Sequence, residues 1–163
     1  MMEIRRLDRD EVEQVAPLTA LFRVALKGYK GIAALPDVAA GYEELMEYLD
    51  AGWPVYMAMM RERCVGYLVC RVEAPCVWVE SIFVQEAYRR RRIATLLLCE
   101  AEALAKSYGE ETLYFNVHPN NRGMIAFLRR HGYTVLNLIE IRKPYAGENP
   151  SAVIRVGEND FDY

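Results

Sequence analysis

The chain has 163 residues, a net charge of −3, 53% hydrophobic and 26% charged residues, the balance of a soluble globular protein long enough to bury a core without metals or disulfides. The negative charge argues against bulk nucleic-acid binding, and no apolar stretch reaches the roughly 18 residues a membrane span needs. Met1–Arg6 leads into no apolar run, so a signal peptide is not expected.

Glu3–Arg6 predicts a short first strand. Asp8 and Glu11 have capping-box spacing, with Leu7 and Val12 as the hydrophobic staple. Val12, Val15, Leu18, Phe22 and Ala25 then recur at helical spacing, predicting a helix to about Lys27. A loop follows at Gly28–Gly31. A second helix is expected from Pro36-Asp37 to Gly52, whose glycine suits a left-handed stop.

Strands are expected at Val55–Met60, Cys64–Val72 and Cys76–Val84. Their short connections make them an antiparallel meander. Arg92–Ser107 reads as a helix with Ile93, Leu96, Leu97, Ala101 and Leu104 on one face, ended by Gly109. Thr112–Val117 is rich in β-formers, and a capped helix runs from Asn120 or Asn121 to His131, stopping at Gly132. Tyr133–Ile141 reads as a further strand. Ala152–Val156 is a candidate last strand, and acidic Glu158–Tyr163 is expected to be loose.

This order predicts a single α/β domain with a mixed, mostly antiparallel central sheet flanked by helices. Residues 3–143 would be its core and 144–163 a C-terminal extension. The crossover from Cys76–Val84 to Thr112–Val117 should be right-handed and parallel.

The most telling stretch is Val84 to Thr95, where an apolar strand enters the basic turn Arg89-Arg90-Arg91-Arg92 and an apolar helix follows at once. Helix-start amides and positive charge at one point suit a pyrophosphate. The run resembles the GCN5-related N-acetyltransferase (GNAT) family, whose signature R/Q-x-x-G-x-G/A falls on Arg89 to Ala94. The resemblance extends upstream to Val79–Val84 and downstream from Asn121 to Gly132-Tyr133.

The resemblance implies acetyl-CoA as co-substrate, held where two strands splay apart. The backbone of Ile82, Phe83 and Val84 would pair with the pantetheine arm. The turn and helix start, Arg89, Arg90, Arg91, Arg92, Ile93, Ala94 and Thr95, would hold the pyrophosphate. Asn121 sits where the family often places a cofactor contact. Arg92 stands in place of a family glycine, which is acceptable if its dihedrals are those of an ordinary helix start with the side chain turned outward.

Glu80 lies inside the apolar run Val77–Val84. By alternation it shares a face with Trp78, Ile82 and Val84, so partial desolvation should raise its pKa toward that of a useful base. In the family an acidic residue at this point often serves as general base. A lysine-like amine is neutral in only about one of ~2,500 molecules at pH 7, a deficit of about 4.6 kcal/mol, against about 1.4 kcal/mol for an α-amine. The family's proton-donating tyrosine would fall on Leu128, so no general acid is assigned. A thiol of pKa around 8.5 leaves as a tolerable anion.

The remaining candidates read as structural. His118 is a loop residue, His131 complements a helix C-terminus, and Tyr133 is a core aromatic. Ser81 lacks the partners of a hydrolase triad. The cysteines Cys64, Cys70, Cys76 and Cys99 include no C-x-x-C pair, and only two histidines are present. No metal site is expected, and the thiols read as buried in a reducing compartment.

The sequence therefore points to a cytoplasmic acetyl-CoA-dependent N-acetyltransferase acting on a small-molecule or peptide amine. The tail is a candidate homodimer surface, and neither nucleic acid nor membrane is a partner. The alternative is a non-catalytic acyl-CoA-binding or regulatory module, favoured by Arg92 and Leu128.

Overall fold

A computed structural model describes residues 1–163 as two compact units, Met1–Phe127 and Leu128–Tyr163. The first holds a five-stranded sheet in the order β1 (Met2–Arg6), β2 (Val55–Met60), β3 (Arg63–Glu73), β4 (Cys76–Val84), β5 (Tyr114–Phe115). The first three pairings are antiparallel and β4–β5 is parallel. With helices α1 (Val12–Tyr29), α2 (Val38–Asp50), α3 (Ile93–Ser107) and α4 (Arg122–Arg130), this is the expected mixed α/β architecture. No helix is long and apolar enough to cross a membrane.

Helices α1 and α2 pack on one face of the sheet. Val12, Val15, Leu18 and Leu45 meet Val55, Met57, Tyr67 and Val69 there in one buried cluster. Strand alternation sends Gly66, Leu68 and Cys70 to the other face, where α3 buries Ile93, Leu97, Leu98 and Ala101. Gly66 looks directly onto Val84 and Ile93 there.

Helix α2 begins as expected, with Asp37 accepting the amide of Ala40 at 2.9 Å. It ends in a Schellman turn: Gly52 has φ 75°, and Trp53 donates to the Tyr48 carbonyl at 2.9 Å. That turn stacks the Trp53 ring on Tyr48 at 5.2 Å. The Asp8 capping box does not form. Asp8 makes no side-chain cap, residues Arg9–Glu11 form a single 3-10 turn, and Arg5 takes both Glu11 oxygens instead. A bidentate ion pair outcompetes a neutral amide for the same carboxylate.

In the second unit, α4 ends at a Schellman turn on Gly132 (φ 87°), with the Tyr133 amide donating to Leu128. Residues 133–141, expected as a strand, form none, and Val135, Leu136, Leu138 and Ile141 stand exposed. A strand needs a ladder partner, and within this unit β6 (Val153–Val156) and β7 (Asn159–Asp162) pair with each other. The acidic tail is therefore a strand, with Arg155 paired to Asp160 across the hairpin at 2.7 Å.

Close approach of α1 and α2 depends on Gly41. A Cβ there would lie 2.6 Å from the Ala16 carbonyl oxygen and 3.2 Å from the Ala20 amide. Gly28, in the last turns of α1, has open space around it. Gly41→Ala should cost about 1–3 kcal/mol through overpacking, despite alanine's better helix propensity. Gly28→Ala should instead be neutral or stabilise by up to about 1 kcal/mol. Urea denaturation of the two variants against wild type checks the opposite signs.

Candidate acetyl-transfer site

The site is organised by one irregularity. In the β3–β4 ladder Val69 faces Ser81 but Cys70 faces Val79, so Glu80 is an extra residue with no partner across the ladder. Such a bulge re-aims side chains and increases local twist. Before it, Val77 and Val79 are buried on the α3 side. After it, Ser81 and Phe83 lie on the α1/α2 side, opposite Val69 and Tyr67, while Ile82 and Val84 fall on the α3 side. Simple alternation had grouped Glu80 with Trp78, Ile82 and Val84. The bulge leaves it with Trp78 and removes the other two to the opposite face.

Nor is Glu80 desolvated as expected. The residue is exposed, with its side chain 32% accessible, and its carboxylate accepts from Arg71 Nε at 3.1 Å. Arg71 also pairs with Glu73 and lies over the Trp78 ring at 4.9 Å. Trp78 in turn packs on Tyr114 at 4.9 Å. Glu80 is therefore a solvent-facing carboxylate held in place by a braced guanidinium. Arg71 was not singled out in the sequence, although counting back across the hairpin from Trp78 reaches it.

Strand β5 is shorter than the predicted Thr112–Val117. It pairs with β4 only at Trp78↔Tyr114 and Val79↔Phe115. From Glu80 to Val84, β4 has β3 on one side and no strand on the other. Pairing with the parallel neighbour stops at Val79, directly before the bulge. Ile82, Phe83 and Val84 thus lie along an open sheet edge, to which an extended ligand can add as a strand. Phe83 is half-buried, edge-on to Phe22 at 6.2 Å.

After β4 the chain makes a 3-10 turn at Glu86–Tyr88, an extended step at Arg89, and then enters α3. Arg90 and Arg92 both have φ 64°, in the left-handed region. Arg92 was expected to have ordinary helical dihedrals; it is instead the left-handed N-cap of α3 and makes no side-chain cap bond. Reversing from strand to helix within so few residues demands positive φ, which glycine adopts freely and arginine at a cost of roughly 1–2 kcal/mol. The helix's first internal bond runs from the Leu96 amide to the Arg92 carbonyl at 3.0 Å. The preceding amides, from Ile93 onward, project from a positive helix end. Arg89 folds back, donating from Nε to the Val84 carbonyl at 3.0 Å and lying over Phe83, and Arg91 lies over Tyr88 at 5.5 Å.

Asn121 caps α4: its Oδ1 accepts the Met124 amide at 3.1 Å. In the adjoining loop the His118 ring stacks on Tyr29 at 6.0 Å and accepts the Asn120 amide at 3.1 Å. Asn120 Nδ2 donates to the Tyr29 carbonyl at 2.9 Å, tying the end of α1 to this loop. Burial, aided by the charge of Lys30, lowers the His118 pKa.

On the α1/α2 side Arg23 pairs with Glu44, whose Oε1 also accepts from the Tyr48 hydroxyl at 2.5 Å. Burial and the Glu44 contact push the Tyr48 hydroxyl pKa up, and the charge of Glu80 adds to the effect. This network therefore lies within electrostatic reach of Glu80. Sequence reasoning missed it, because Arg23 lies 21 and 25 residues from its partners Glu44 and Tyr48, on a different helix.

The thiols are chemically quiet where they are buried. Desolvation pushes Cys64 up to about 11 and Cys70 up to about 12, so both stay protonated. Contrary to expectation, Cys76 is only half-buried and Cys99 is exposed. Leu128, in the second unit, is buried and offers no hydroxyl.

The profile of the Acetyltransferase (GNAT) family matches residues 22–133, from the middle of α1 through the end of α4. The chain belongs to the GNAT acetyltransferase family. Its fold is shared by AAC(6')-Iy solved with the bisubstrate analogue CoA-S-monomethyl-acetylneamine (TM-score 0.67, 21% identity, 89% of this chain and 99% of that one). It is also shared by a ribosomal-protein-alanine N-acetyltransferase from Brucella melitensis biovar Abortus 2308 (TM-score 0.69, 19% identity, 89% and 99% covered). A third is the PaiA N-acetyltransferase from Thermoplasma acidophilum, solved in complex with coenzyme A (TM-score 0.67, 20% identity, 80% and 88% covered). No curated protein matches the chain by sequence.

The cap on α4 gives a direct test of the geometry around Asn121. Asn121→Ala should destabilise the protein by about 1 kcal/mol, and Asn121→Asp should restore most of that. Chemical denaturation of both variants provides the check.

Proposed function

We propose that this protein transfers an acetyl group from acetyl-CoA to a primary amine, by direct attack of the amine on the thioester. The observation that carries the reading is the open edge of β4 beyond the Glu80 bulge, next to a turn of outward-facing amides at the start of α3. Acetyl-CoA supplies an acetyl group already activated as a thioester. The edge at Ile82, Phe83 and Val84 offers a strand-like seat for the pantetheine arm. Arg89, Arg90, Arg91, Arg92, Ile93, Ala94 and Thr95 form the phosphate end of the site. Asn121 is assigned to the coenzyme on the family resemblance, its Nδ2 remaining a donor after Oδ1 has capped α4.

Glu80 is the proposed general base. It takes a proton from the acceptor ammonium directly or through one water, and Arg71 positions it. Backbone N–H groups near Ile82 and Phe83 stabilise the oxyanion as the carbonyl carbon becomes tetrahedral. The thiolate then leaves as the amide forms. An amine acceptor is supported by the names of the structural neighbours, which include aminoglycoside N-acetyltransferases and a ribosomal-protein-alanine N-acetyltransferase.

Incubation with acetyl-CoA and a panel of amines, read by release of free thiol, tests the function. Coenzyme binding without thiol release above the hydrolysis background for any amine would favour the non-catalytic module. For a lysine-like acceptor, Glu80→Gln should lower kcat by about 10²–10³-fold near neutral pH. The loss should shrink as pH rises, because the amine then loses its own proton. Since Glu80 is exposed, KM for acetyl-CoA and Tm should stay close to wild type. A pH–rate profile with a thermal melt checks all three.

A further inference from the structure

We propose that the hydroxyl groups of Thr19, Tyr67 and Ser81 cage one internal water, which pins the bulge of β4 to helix α1 and so positions Glu80. This inference rests on the acetyl-transfer site proposed above and supplies what holds its base at the backbone end, where Arg71 holds it at the tip. All three residues are buried, and none of the three hydroxyl oxygens has a hydrogen-bond partner within the protein. They come from three elements that meet on the α1/α2 side of the sheet. Tyr67 faces Phe83 across the β3–β4 ladder, so Ser81, two residues earlier in β4, is its diagonal neighbour on the same face. The Phe22 ring stands edge-on to Tyr67 at 6.4 Å, and Thr19 lies one turn before Phe22 on the same stripe of α1. The backbone of α2 closes over them: a Cβ on Gly41 would lie 3.4 Å from Thr19 Cβ.

Burial raises the Tyr67 hydroxyl pKa, and the nearby hydroxyls of Thr19 and Ser81 pull against that rise. Buried hydroxyls left without partners are costly, and three at one spot supply the roughly two to four polar contacts that an internal water takes. The charges that reach the cluster, Glu44 and Arg23, pair with each other, so the cage suits a neutral guest and not an ion. A water there donates to two of the hydroxyls and accepts from the third. Ser81 directly follows the unpartnered Glu80. A bulged residue lacks a ladder partner to fix its torsions, and tying Ser81 to β3 and α1 at once fixes them from the next residue. Thr19, Tyr67 and Ser81 are thus positioning residues that act through Glu80.

The test combines a high-resolution crystal structure of the protein with melts and kinetics of Thr19→Val, Thr19→Ser, Tyr67→Phe and Ser81→Ala. The crystal should show a single water within about 3.2 Å of all three hydroxyl oxygens. Hydroxyls bonded only to one another would overturn the proposal. Thr19→Val and Tyr67→Phe should each lower Tm by about 2–4 °C, and the double variant by less than the sum, because both remove bonds to one shared water. An orphaned hydroxyl would instead make Tyr67→Phe melt higher. In acetyl transfer to a lysine-like amine, each hydroxyl loss should lower kcat by about tenfold, short of the ~10²-fold cost of a misplacement of about 1 Å, with KM for acetyl-CoA unchanged. Thr19→Ser, which keeps the hydroxyl, should restore kcat. In a Glu80→Gln background the same substitutions should lower kcat no further. A higher Tm, an unchanged kcat, or an equal further loss in the Glu80→Gln background would each overturn the proposal. Wild type that transfers acetyl to no amine would sink the underlying site reading itself, and the crystal and the melts would still decide the water.

Discussion

The candidate site depends on one extra residue in one strand. Glu80 has no partner in β3, so the side-chain phase of β4 reverses at that point and two consecutive residues, Glu80 and Ser81, lie on the α1/α2 side. The same bulge coincides with the end of β5 pairing after Val79. A carboxylate and an open backbone edge thereby come to lie side by side. Without the bulge, regular pairing of β4 and β5 would fill the edge that a thioester is proposed to use, and the backbone groups of Ile82 to Val84 would be consumed within the sheet.

The electrostatics follow the same local logic. The carboxylate of Glu80 is anchored by Arg71, which is itself braced by Glu73 and the Trp78 ring. Such a half-exposed pair contributes little to stability, so its value lies in fixing where the carboxylate points. At the other end of β4 the balance is reversed. Four arginines cluster at a helix N-terminus, and backbone strain is accepted at two of them.

Local signals in the sequence were reliable where the physics is local. The limits of β4, the stops of α2 at Gly52 and α4 at Gly132, and the start of α2 at Asp37 were all legible. Each depends on backbone torsion or on a bond to a residue a few positions away. The misses have competing partners. Glu11 was claimed by Arg5 before it could cap a helix. Residues 133–141 have a strand's composition, but β6 and β7 are already paired. Arg92 was expected at the ordinary torsions of a first helical turn, but it is the N-cap, one residue ahead of the helix, where the path of the chain takes a left-handed torsion.

The strand–turn–helix from β4 into α3 was legible in the sequence alone, because apolar periodicity and a basic run between two elements need no knowledge of distant contacts, and the family resemblance rests on the motif that falls on that turn. Ladder register is different. It depends on which residues of β3 face which residues of β4, and a shift of one residue exchanges the faces of every side chain beyond it. Only tertiary structure could therefore place Glu80 beside Arg71, remove Ile82 and Val84 to the α3 face, and leave the edge from Glu80 to Val84 without a neighbour.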